Sequence, residues 1–518
     1  MEFRLADLRI PMTDFFSAYK PLRNYLARFP VLSNLVRLLG YGRHLIEGQP
    51  LSPELGIRRP PFTDLKRLLY PWDIELLVRE LMLHGELLLD VSVYAGNDFA
   101  NWSAIAKAVK QLRELEDHAF AEGQDHPDVL LHLNRMANRQ FRWQGASLSL
   151  APCIRALKVY GGPELDLLTQ RHFGMSMLQL VRLSFAVCGH FLNRWDFNTD
   201  TDFGVVDIPR DAARTYLGLI SCDLPKLRKA LHEQQHFDHT WAYTWNPLEA
   251  TPLIRVDQSH PNRVICPIPR YALSRGTTGV FYDIVKQLGF DNKYGEAFQA
   301  YVGELLQLAC PTPAFNVERV APFESKKGKL MHGPDWILSD ALAHLVIECK
   351  TKKMSLGAKQ LSDMDAVEKD IAALGEAVVQ NYKNIRSANL GELAWRPERA
   401  QIFPIVVTLE EWILMSPQLT EMLRNHIVRG LEDQSIDLAV LETMPFKIVS
   451  SNDLELGAQV IAQAGIAEVF GRATSPDRQF WTLRNIIQQD FPEQMRKIKP
   501  VLFEVEANTI VPTRPQAK

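Results

Sequence analysis

An acidic residue and an acid-x-lysine triplet lie close together between residues 329 and 353, in the segment KLMHGPDWILSDALAHLVIECKTKK. Asp335 follows a proline, and thirteen residues later Glu348 and Lys350 end the apolar run HLVIECK. Alternate residues of a strand share a face, so Val346, Glu348 and Lys350 are expected to point the same way. Burying an acid and a lysine beside β-branched residues is costly unless they pair or bind something. The pattern therefore predicts a functional cluster.

The two apolar runs of this segment predict a hairpin that brings its acids together. The runs WIL and HLVIECK flank a Ser-Asp turn, as two paired antiparallel strands do. Asp335 and Glu348 are then expected to converge across adjacent strands. Their carboxylates are hard oxygen ligands that suit Mg²⁺ and leave positions for water and a phosphate oxygen.

The elements around this hairpin alternate between helical and extended patterns. The predicted order begins with a helix over 291–309. Three strands follow: the first over 314–320, the second ending near 338 and the third over 344–350. A long helix over 358–388 and a strand over 402–407 complete the order. A mixed sheet flanked by helices buries such elements economically. The predicted fold class is therefore mixed α/β.

The hairpin and the order of elements resemble the PD-(D/E)xK nuclease superfamily. The resemblance covers residues 290–408 and implies a restriction-endonuclease-like α-β-β-β-α-β core. It implies that Asp335 and Glu348 are the two catalytic acids and that Lys350 is the catalytic lysine. It also implies that Asp335, Glu348 and the carbonyl of Cys349 hold Mg²⁺, for which Mn²⁺ can substitute, and that the chain hydrolyses phosphodiester bonds.

The flanking helices offer further candidates for the implied site. Helical spacing places Glu304 on the flank of the apolar stripe of the first helix and Glu296 opposite that stripe, so Glu304 is the preferred additional acid and an ordinary surface acid is the alternative. Gln380 on the later helix resembles the superfamily's helical glutamine, and a solvated glutamine is its alternative. Phosphate contacts are predicted for Lys352 and Lys353, within a set of nearby lysines that also contains Lys326, Lys327, Lys329 and Lys359.

The rest of the chain predicts helical regions around this core. Residues 1–245 show mainly helical spacing and are interpreted as a sensor or scaffold, 246–285 as a connector, 286–412 as the nuclease core, and 413–518 as a helical extension with a strand at 437–441. Stand-alone nucleases with such accessory regions resemble prokaryotic defence or restriction effectors, which an invader-derived protein or nucleic acid activates. This comparison with defence effectors is an analogy and does not rest on the chemistry of particular residues.

Composition excludes several classes of protein. The chain has 518 residues, 46% hydrophobic and 23% charged, with a formal net charge of −3, so fibrous, disordered and generally basic coat proteins are excluded. The six cysteines form no C-x-x-C pair, which fits a reducing compartment. With no secretory signal and no apolar run long enough to span a bilayer, a cytoplasmic protein that contacts no membrane is predicted.

Two other functions stay open on the sequence alone. Residues 232–236 read HEQQH, and on a helix this pattern places two imidazoles on one face, as in zinc metallopeptidases. The third possibility is a catalytically inactive nuclease-like binding protein. For a nuclease, DNA is the first substrate expected and RNA, including tRNA, the second; the oligomeric state is left open.

Overall fold

The structure, a computed structural model, describes residues 14–58, 65–87, 98–122, 129–255, 259–324, 330–397 and 400–511. The chain divides into two compact units. The first comprises Met1–Pro127, Arg139–Leu157 and Asp166–Lys286, and the second Asp128–Asn138, Lys158–Leu165 and Gln287–Lys518. Within the described ranges, no helix is long and apolar enough to cross a membrane.

Helices dominate the residues before 287, as the sequence predicts. A small sheet of order β1-β4-β3-β2 accompanies them, and residues 246–285, predicted to be a connector, supply two of its strands. The helices are α1 (Phe15–Leu26), α2 (Val31–Glu47), α3 (Pro71–His84), α4 (Trp102–Glu122), α5 (Val129–Gln140), α6 (Leu150–Tyr160), α7 (Pro163–Phe173), α8 (Met177–Phe191), α9 (Arg210–Leu219), α10 (Leu224–Gln234), α11 (Pro269–Arg275) and α12 (Val280–Ile284). The strands are β1 (Asp196–Asn198), β2 (Ser221–Asp223), β3 (Leu253–Arg255) and β4 (Arg263–Ile265).

The residues from 287 onward fold around a five-stranded mixed sheet of order β11-β10-β9-β8-β5. Its strands are β5 (Asn316–Glu318), β8 (Trp336–Ser339), β9 (Ala343–Lys350), β10 (Gln401–Thr408) and β11 (Lys447–Ser450), while β6 (Phe323–Glu324) and β7 (Leu330–Met331) form a separate two-stranded sheet. The helices are α13 (Phe290–Ala309), α14 (Leu356–Gln360), α15 (Met364–Asn389), α16 (Pro417–Asp433), α17 (Val440–Thr443), α18 (Ser451–Ala464), α19 (Ile466–Ala473), α20 (Leu483–Asp490), α21 (Pro492–Met495) and α22 (Glu504–Ile510). The mixed α/β prediction is confirmed.

Strand direction changes within the five-stranded sheet. β5, β8 and β9 pair antiparallel, whereas β9, β10 and β11 pair parallel. The turn between β8 and β9 is closed by Asp340, whose Oδ1 accepts hydrogen bonds from the amides of Leu342 and Ala343, both at 2.9 Å. This aspartate turn explains why the Ser-Asp pair predicts the hairpin correctly.

Two sequence predictions in this unit are wrong. The single helix expected over 358–388 is two helices, because Leu361 takes a left-handed conformation with φ of 54° and the side chain of Asp363 caps the start of α15. The strand expected over 437–441 is replaced by a turn and α17, since Oδ1 of Asp437 accepts a hydrogen bond from the amide of Ala439 at 3.0 Å. In both cases a local aspartate hydrogen bond overrides the apolar pattern.

Helix α15 packs its apolar stripe on one face of the sheet. The stripe residues are buried together with Ile337, Val346 and Val406 of the strands. They recur at helical spacing and are Ile371, Leu374, Val378, Tyr382 and Ile385. Asn381, which is fully buried, donates from Nδ2 to the carbonyl oxygens of Val346 and Ile405, at 3.2 and 2.8 Å. Pro404 lies opposite Val346 in a central strand and has no amide hydrogen, so the asparagine supplies a donor that the ladder lacks there.

Helix α13 is fixed to the start of β8 by Trp336. The indole Nε1 donates to the carbonyl oxygen of Gln299 at 2.8 Å, and the ring lies over Gly303. A Cβ at Gly303 would lie 2.0 Å from Cζ2 of Trp336, whereas a Cβ at Gly295 of the same helix would have nothing within 4 Å. Close contact between α13 and β8 therefore requires glycine at position 303.

Gly303→Ala is expected to destabilise the protein by about 1–3 kcal/mol, because the added methyl displaces the indole of Trp336. Gly295→Ala in the same helix should be neutral or stabilising by up to about 1 kcal/mol, because alanine is the better helix former. Urea unfolding of both variants measures the difference. Equal stability of the two variants would contradict the proposed packing.

Candidate active site

The strand register brings Asp335, Glu348 and Lys350 to one edge of the sheet. In the antiparallel pairing of β8 with β9, Trp336 lies opposite Ile347 and Ile337 opposite Val346. Continuing that register by one residue sets Asp335 opposite Glu348. Lys350, two residues further along β9, shares the face of Glu348. The convergence predicted from the hairpin is therefore present in the structure.

Asp335 is anchored to the backbone of β9. Its Oδ2 accepts a hydrogen bond from the amide of Cys349 at 2.7 Å, just where the strand pairing of β8 begins. The cysteine itself lies opposite Val407 of β10. Its amide thus holds the carboxylate beside Glu348, and one carboxylate oxygen of Asp335 takes no part in this bond.

Glu348 and Lys350 form an ion pair along the strand. Nζ of Lys350 donates to Oε1 of Glu348 at 2.8 Å, with the glutamate side chain 10% exposed and the lysine side chain 37% exposed. The acid is therefore buried while the ammonium reaches solvent.

Burial and like charge make the two acids hard to ionise. Burial, followed by the charge of Glu348, raises the pKa of Asp335 to about 7. Burial also raises the pKa of Glu348, against the opposing effect of Lys350. Burial lowers the pKa of Lys350, but the charge and hydrogen bond of Glu348 together with the charge of Asp335 outweigh burial, so the net shift is upward and the ammonium stays charged. The charge of Lys350 therefore opposes the rise in the pKa of both carboxyl groups.

The side chains fit a hard divalent cation at this edge. Asp335 and Glu348 offer carboxylate oxygens, and the backbone of Cys349 between Glu348 and Lys350 offers a carbonyl, all of which suit Mg²⁺ or Mn²⁺. Burial is the first cause of the raised pKa of both acids, and a divalent cation would favour their ionised forms.

Arg319 and Gln299 lie beside this cluster, although the sequence does not single out the arginine. Arg319 follows β5 directly, and its Nη2 donates to Oε1 of Gln299 at 3.4 Å. The positive charge of Arg319 lowers the pKa of Asp335. Burial, Glu348, the amide of Cys349 and Lys350 make larger contributions to that pKa. The sequence signal available was the polar Gln299 on the flank of the apolar stripe of α13.

Glu304 does not join the cluster. Its Oε2 accepts from Nζ of Lys158 at 2.6 Å, and the same ammonium also pairs with Glu506 at 2.5 Å. The side chain of Glu304 is 48% exposed, which agrees with the alternative of an ordinary surface acid. Glu296 is exposed and pairs with Lys293 at 3.0 Å.

The lysines predicted to contact phosphates already have carboxylate partners. Lys352 pairs with Asp370 at 2.9 Å, and Lys353, whose side chain is only 9% exposed, pairs with Glu410 at 2.7 Å. Lys359 also pairs with Glu410, and despite burial these two lysines lower the pKa of Glu410 to about 2. Lys326, Lys327 and Lys329 lie outside the described residues.

Gln380 forms hydrogen bonds only along its own helix in the part of the chain that the structure describes. Its Nε2 donates to Oδ1 of Asn384 at 3.0 Å, and its Oε1 accepts from Lys383 at 3.4 Å. The buried polar residue that reaches the sheet from α15 is instead the next residue, Asn381.

The HEQQH segment does not form the helical pair of imidazoles that a zinc peptidase requires. Helix α10 ends at Gln234, and Gln235 is extended with φ of −68° and ψ of 125°. His232 is therefore on the last helical turn, whereas His236 lies beyond the helix. The two rings do not share one helix face, so the geometry expected for this alternative is absent.

Asp335→Asn is expected to stabilise the fold increasingly as the pH rises from about 4 to 8. A carboxyl whose pKa is about 7 in the fold and 3.8 ordinarily loses stability as it ionises across that range, and the amide does not ionise. The gain over the wild type should reach about 2–4 kcal/mol at pH 8. Urea unfolding in EDTA measures it, and a difference independent of pH would contradict the raised pKa.

No family model, curated protein or solved structure matches this chain. The chemistry of the edge is therefore inferred from its own geometry. That geometry consists of two carboxyl groups facing each other across β8 and β9, with a charged lysine two residues along the strand.

Proposed function

We propose that the chain is a Mg²⁺-dependent nuclease that hydrolyses phosphodiester bonds, with Mn²⁺ able to substitute. The observation that carries this is the position of Asp335 opposite Glu348, beside Lys350. These residues lie within the order α13, β5, β8, β9, α15 and β10, which supports a restriction-endonuclease-like core. DNA is the first substrate to test and RNA the second.

Asp335 and Glu348, with the carbonyl of Cys349, would hold the cation. When bound, Mg²⁺ polarises the scissile phosphate and lowers the pKa of a bound water. The amide of Cys349 fixes the orientation of Asp335, and the neighbouring strands fix Glu348, so the ligand oxygens are positioned before substrate arrives.

Lys350 would act on the substrate side of these ligands. Its pKa is raised by Glu348 despite burial, so it remains an ammonium at neutral pH and does not serve as a base. The hydrogen bond to Glu348 holds it at the edge, and its partial exposure leaves donor capacity for water or a phosphate oxygen. Its proposed role is to orient the attacking water and to stabilise charge that develops on the phosphate.

The remaining residues would place this activity in a regulated protein. We assign residues 1–245, by analogy with prokaryotic defence effectors in the cytoplasm, to sensing an invader-derived protein or nucleic acid. An inactive nuclease-like binding protein is the second candidate, because a purely structural ion pair would show the same contact between Glu348 and Lys350.

Glu348→Gln and Lys350→Met are expected to reduce single-turnover cleavage by at least about 10²-fold. The first variant removes a ligand charge, and the second removes the ammonium. Glu376→Gln and Lys369→Ala change exposed residues of α15 and serve as charge-matched controls that should cut like the wild type. Labelled DNA and RNA with Mg²⁺, with and without candidate activators, provide the measurement.

The outcomes of that experiment separate the candidates. Cleavage that survives in both site variants would place the chemistry elsewhere. Binding of nucleic acid with no cleavage by the wild type under any of these conditions would favour the inactive binding protein.

Binding of Mg²⁺ at pH 7 should release roughly 0.5 to 1 proton, because the cation requires both acids ionised. Calorimetric titration in two buffers with different ionisation enthalpies measures the number of protons. In Asp335→Asn the release should be largely lost. Mg²⁺ binding at pH 7 without proton release would show that the cation does not bind at this pair of acids.

A further inference from the structure

We propose that a cavity beside β11 binds one unpaired nucleobase of the substrate, next to the scissile phosphate. This inference rests on the proposed nuclease function and names its substrate class, which is a nucleic acid that is single-stranded at the point of cleavage.

The cavity lies in the second unit, at the edge of the five-stranded sheet that β11 forms. Its volume is about 910 Å³, and it is lined by residues of the loop after β10, helix α16, the segment 441–453 and the segment 471–482. Pockets for small organic molecules have this size. A nucleoside fits into such a volume, whereas a base-paired duplex does not.

The strand register sets the cavity beside the candidate active site. Lys350 of β9, Thr408 of β10 and Ser450 of β11 lie in one row across the parallel part of the sheet. Residues in one such row share a face, and Ser450 lines the cavity. With neighbouring strands about 4.8 Å apart, Ser450 lies about 10 Å from Lys350 along the row. A nucleotide next to the scissile phosphate can span that separation.

Aromatic rings line the cavity and stay partly exposed. Phe446, Phe480 and Trp481 are half-buried lining residues. The guanidinium of Arg478 lies over the ring of Trp481, 5.2 Å from its centre, and Asp490 holds the arginine by an ion pair. The indole is thus supported from one side before a ligand arrives. Rings of this kind are the surfaces on which unpaired bases stack.

Two neighbouring residues provide an acceptor and a donor that lack partners. Glu411 lines the cavity and is exposed, and its carboxylate forms no hydrogen bond or ion pair with the residues that the structure describes. Trp412 also lines the cavity, and its Nε1 is buried with no acceptor in the same part of the chain. Nucleobases carry a donor beside an acceptor on one edge, as adenine does with N6 and N7. One base therefore matches both groups.

The charges of the lining favour a base over a phosphate. Acidic side chains outnumber basic ones, with Glu411, Glu421, Glu442 and Asp453 against Arg424 and Lys447. Lys447 is buried, and its Nζ donates to the carbonyl oxygen of Arg478 at 2.9 Å. A phosphate in the cavity would meet net negative charge, whereas an uncharged base would not. The base is therefore the part of a nucleotide that suits this lining.

The test uses single-stranded DNA and RNA in which one nucleotide at a time around the cleavage point lacks its base. Single-turnover cleavage with Mg²⁺ gives the rate, and binding with Ca²⁺ in place of Mg²⁺ gives the affinity. At one position the abasic change should weaken binding to the wild type by about 5–150-fold, because one stacked base is lost. The intact strand should also be cut faster than the same sequence in a duplex, because a paired base cannot enter the cavity.

Variants locate the bound base in this cavity. Trp481→Ala and Glu411→Ala should each weaken binding of the intact strand, and Trp481→Phe should lie between Trp481→Ala and the wild type because it keeps a ring. The abasic change should cost Trp481→Ala less than it costs the wild type, because both changes remove the same stacking contact. Tyr282→Ala and Glu432→Ala remove an exposed ring of α12 and an exposed acid of α16, and these controls should bind and cut like the wild type.

The outcomes that overturn this inference differ from those that overturn the nuclease itself. If the wild type cuts and no abasic position matters, or if the losses from Trp481→Ala and from the abasic change simply multiply, the cavity holds no substrate base and the proposed function stands. Free nucleosides should compete with the strand; if they instead accelerate cleavage, the cavity is an effector site, which also contradicts the proposal.

Binding without cleavage gives the opposite result. If the wild type shows the abasic effect in binding but cuts nothing, the catalytic assignment fails and the base-binding cavity stands. If the wild type neither binds nor cuts any of these strands, both proposals fail together.

Discussion

The antiparallel pairing of β8 with β9 is the constraint on which the candidate site depends. It sets Asp335 opposite Glu348, and the ammonium of Lys350 pairs with Glu348 beside them. Burial of two acids is unfavourable, and their raised pKa values express that cost. Two buried acids stay side by side only if the surrounding elements hold them in place. A bound cation would reduce the unfavourable free energy of their burial.

The two helices on the sheet provide that support by different contacts. Helix α13 approaches β8 closely because Gly303 leaves room for the indole of Trp336. Helix α15 is joined to β9 and β10 by Asn381, whose amide donates to two strand carbonyls near Pro404. These contacts lie within a few residues of Asp335 and Glu348, so packing of the core also fixes the orientation of the site.

Positive charge near the site is distributed unevenly. The net charge of −3 excludes a generally basic surface, and the lysines after β9 are engaged by Asp370 and Glu410. Among the lysines near the site that the structure describes, Lys350 is the one that pairs with Glu348. Attraction of a phosphate would therefore be local, which is compatible with a nuclease that depends on a partner or an activator for access to its substrate.

The sequence alone determined the strands of the hairpin, their alternation and the meeting of Asp335 with Glu348, because a period of two and a short aspartate turn fix which residues share a face. It also determined the buried stripes of α13 and α15. Helical periodicity gives angles around a helix but not the position of its neighbours, so only the tertiary structure separated Glu304, bound to Lys158, from Gln299, bound to Arg319. The partners of Lys352 and Lys353 and the end of α10 within HEQQH were likewise decided by folding, because they depend on contacts and backbone turns that residue spacing does not encode.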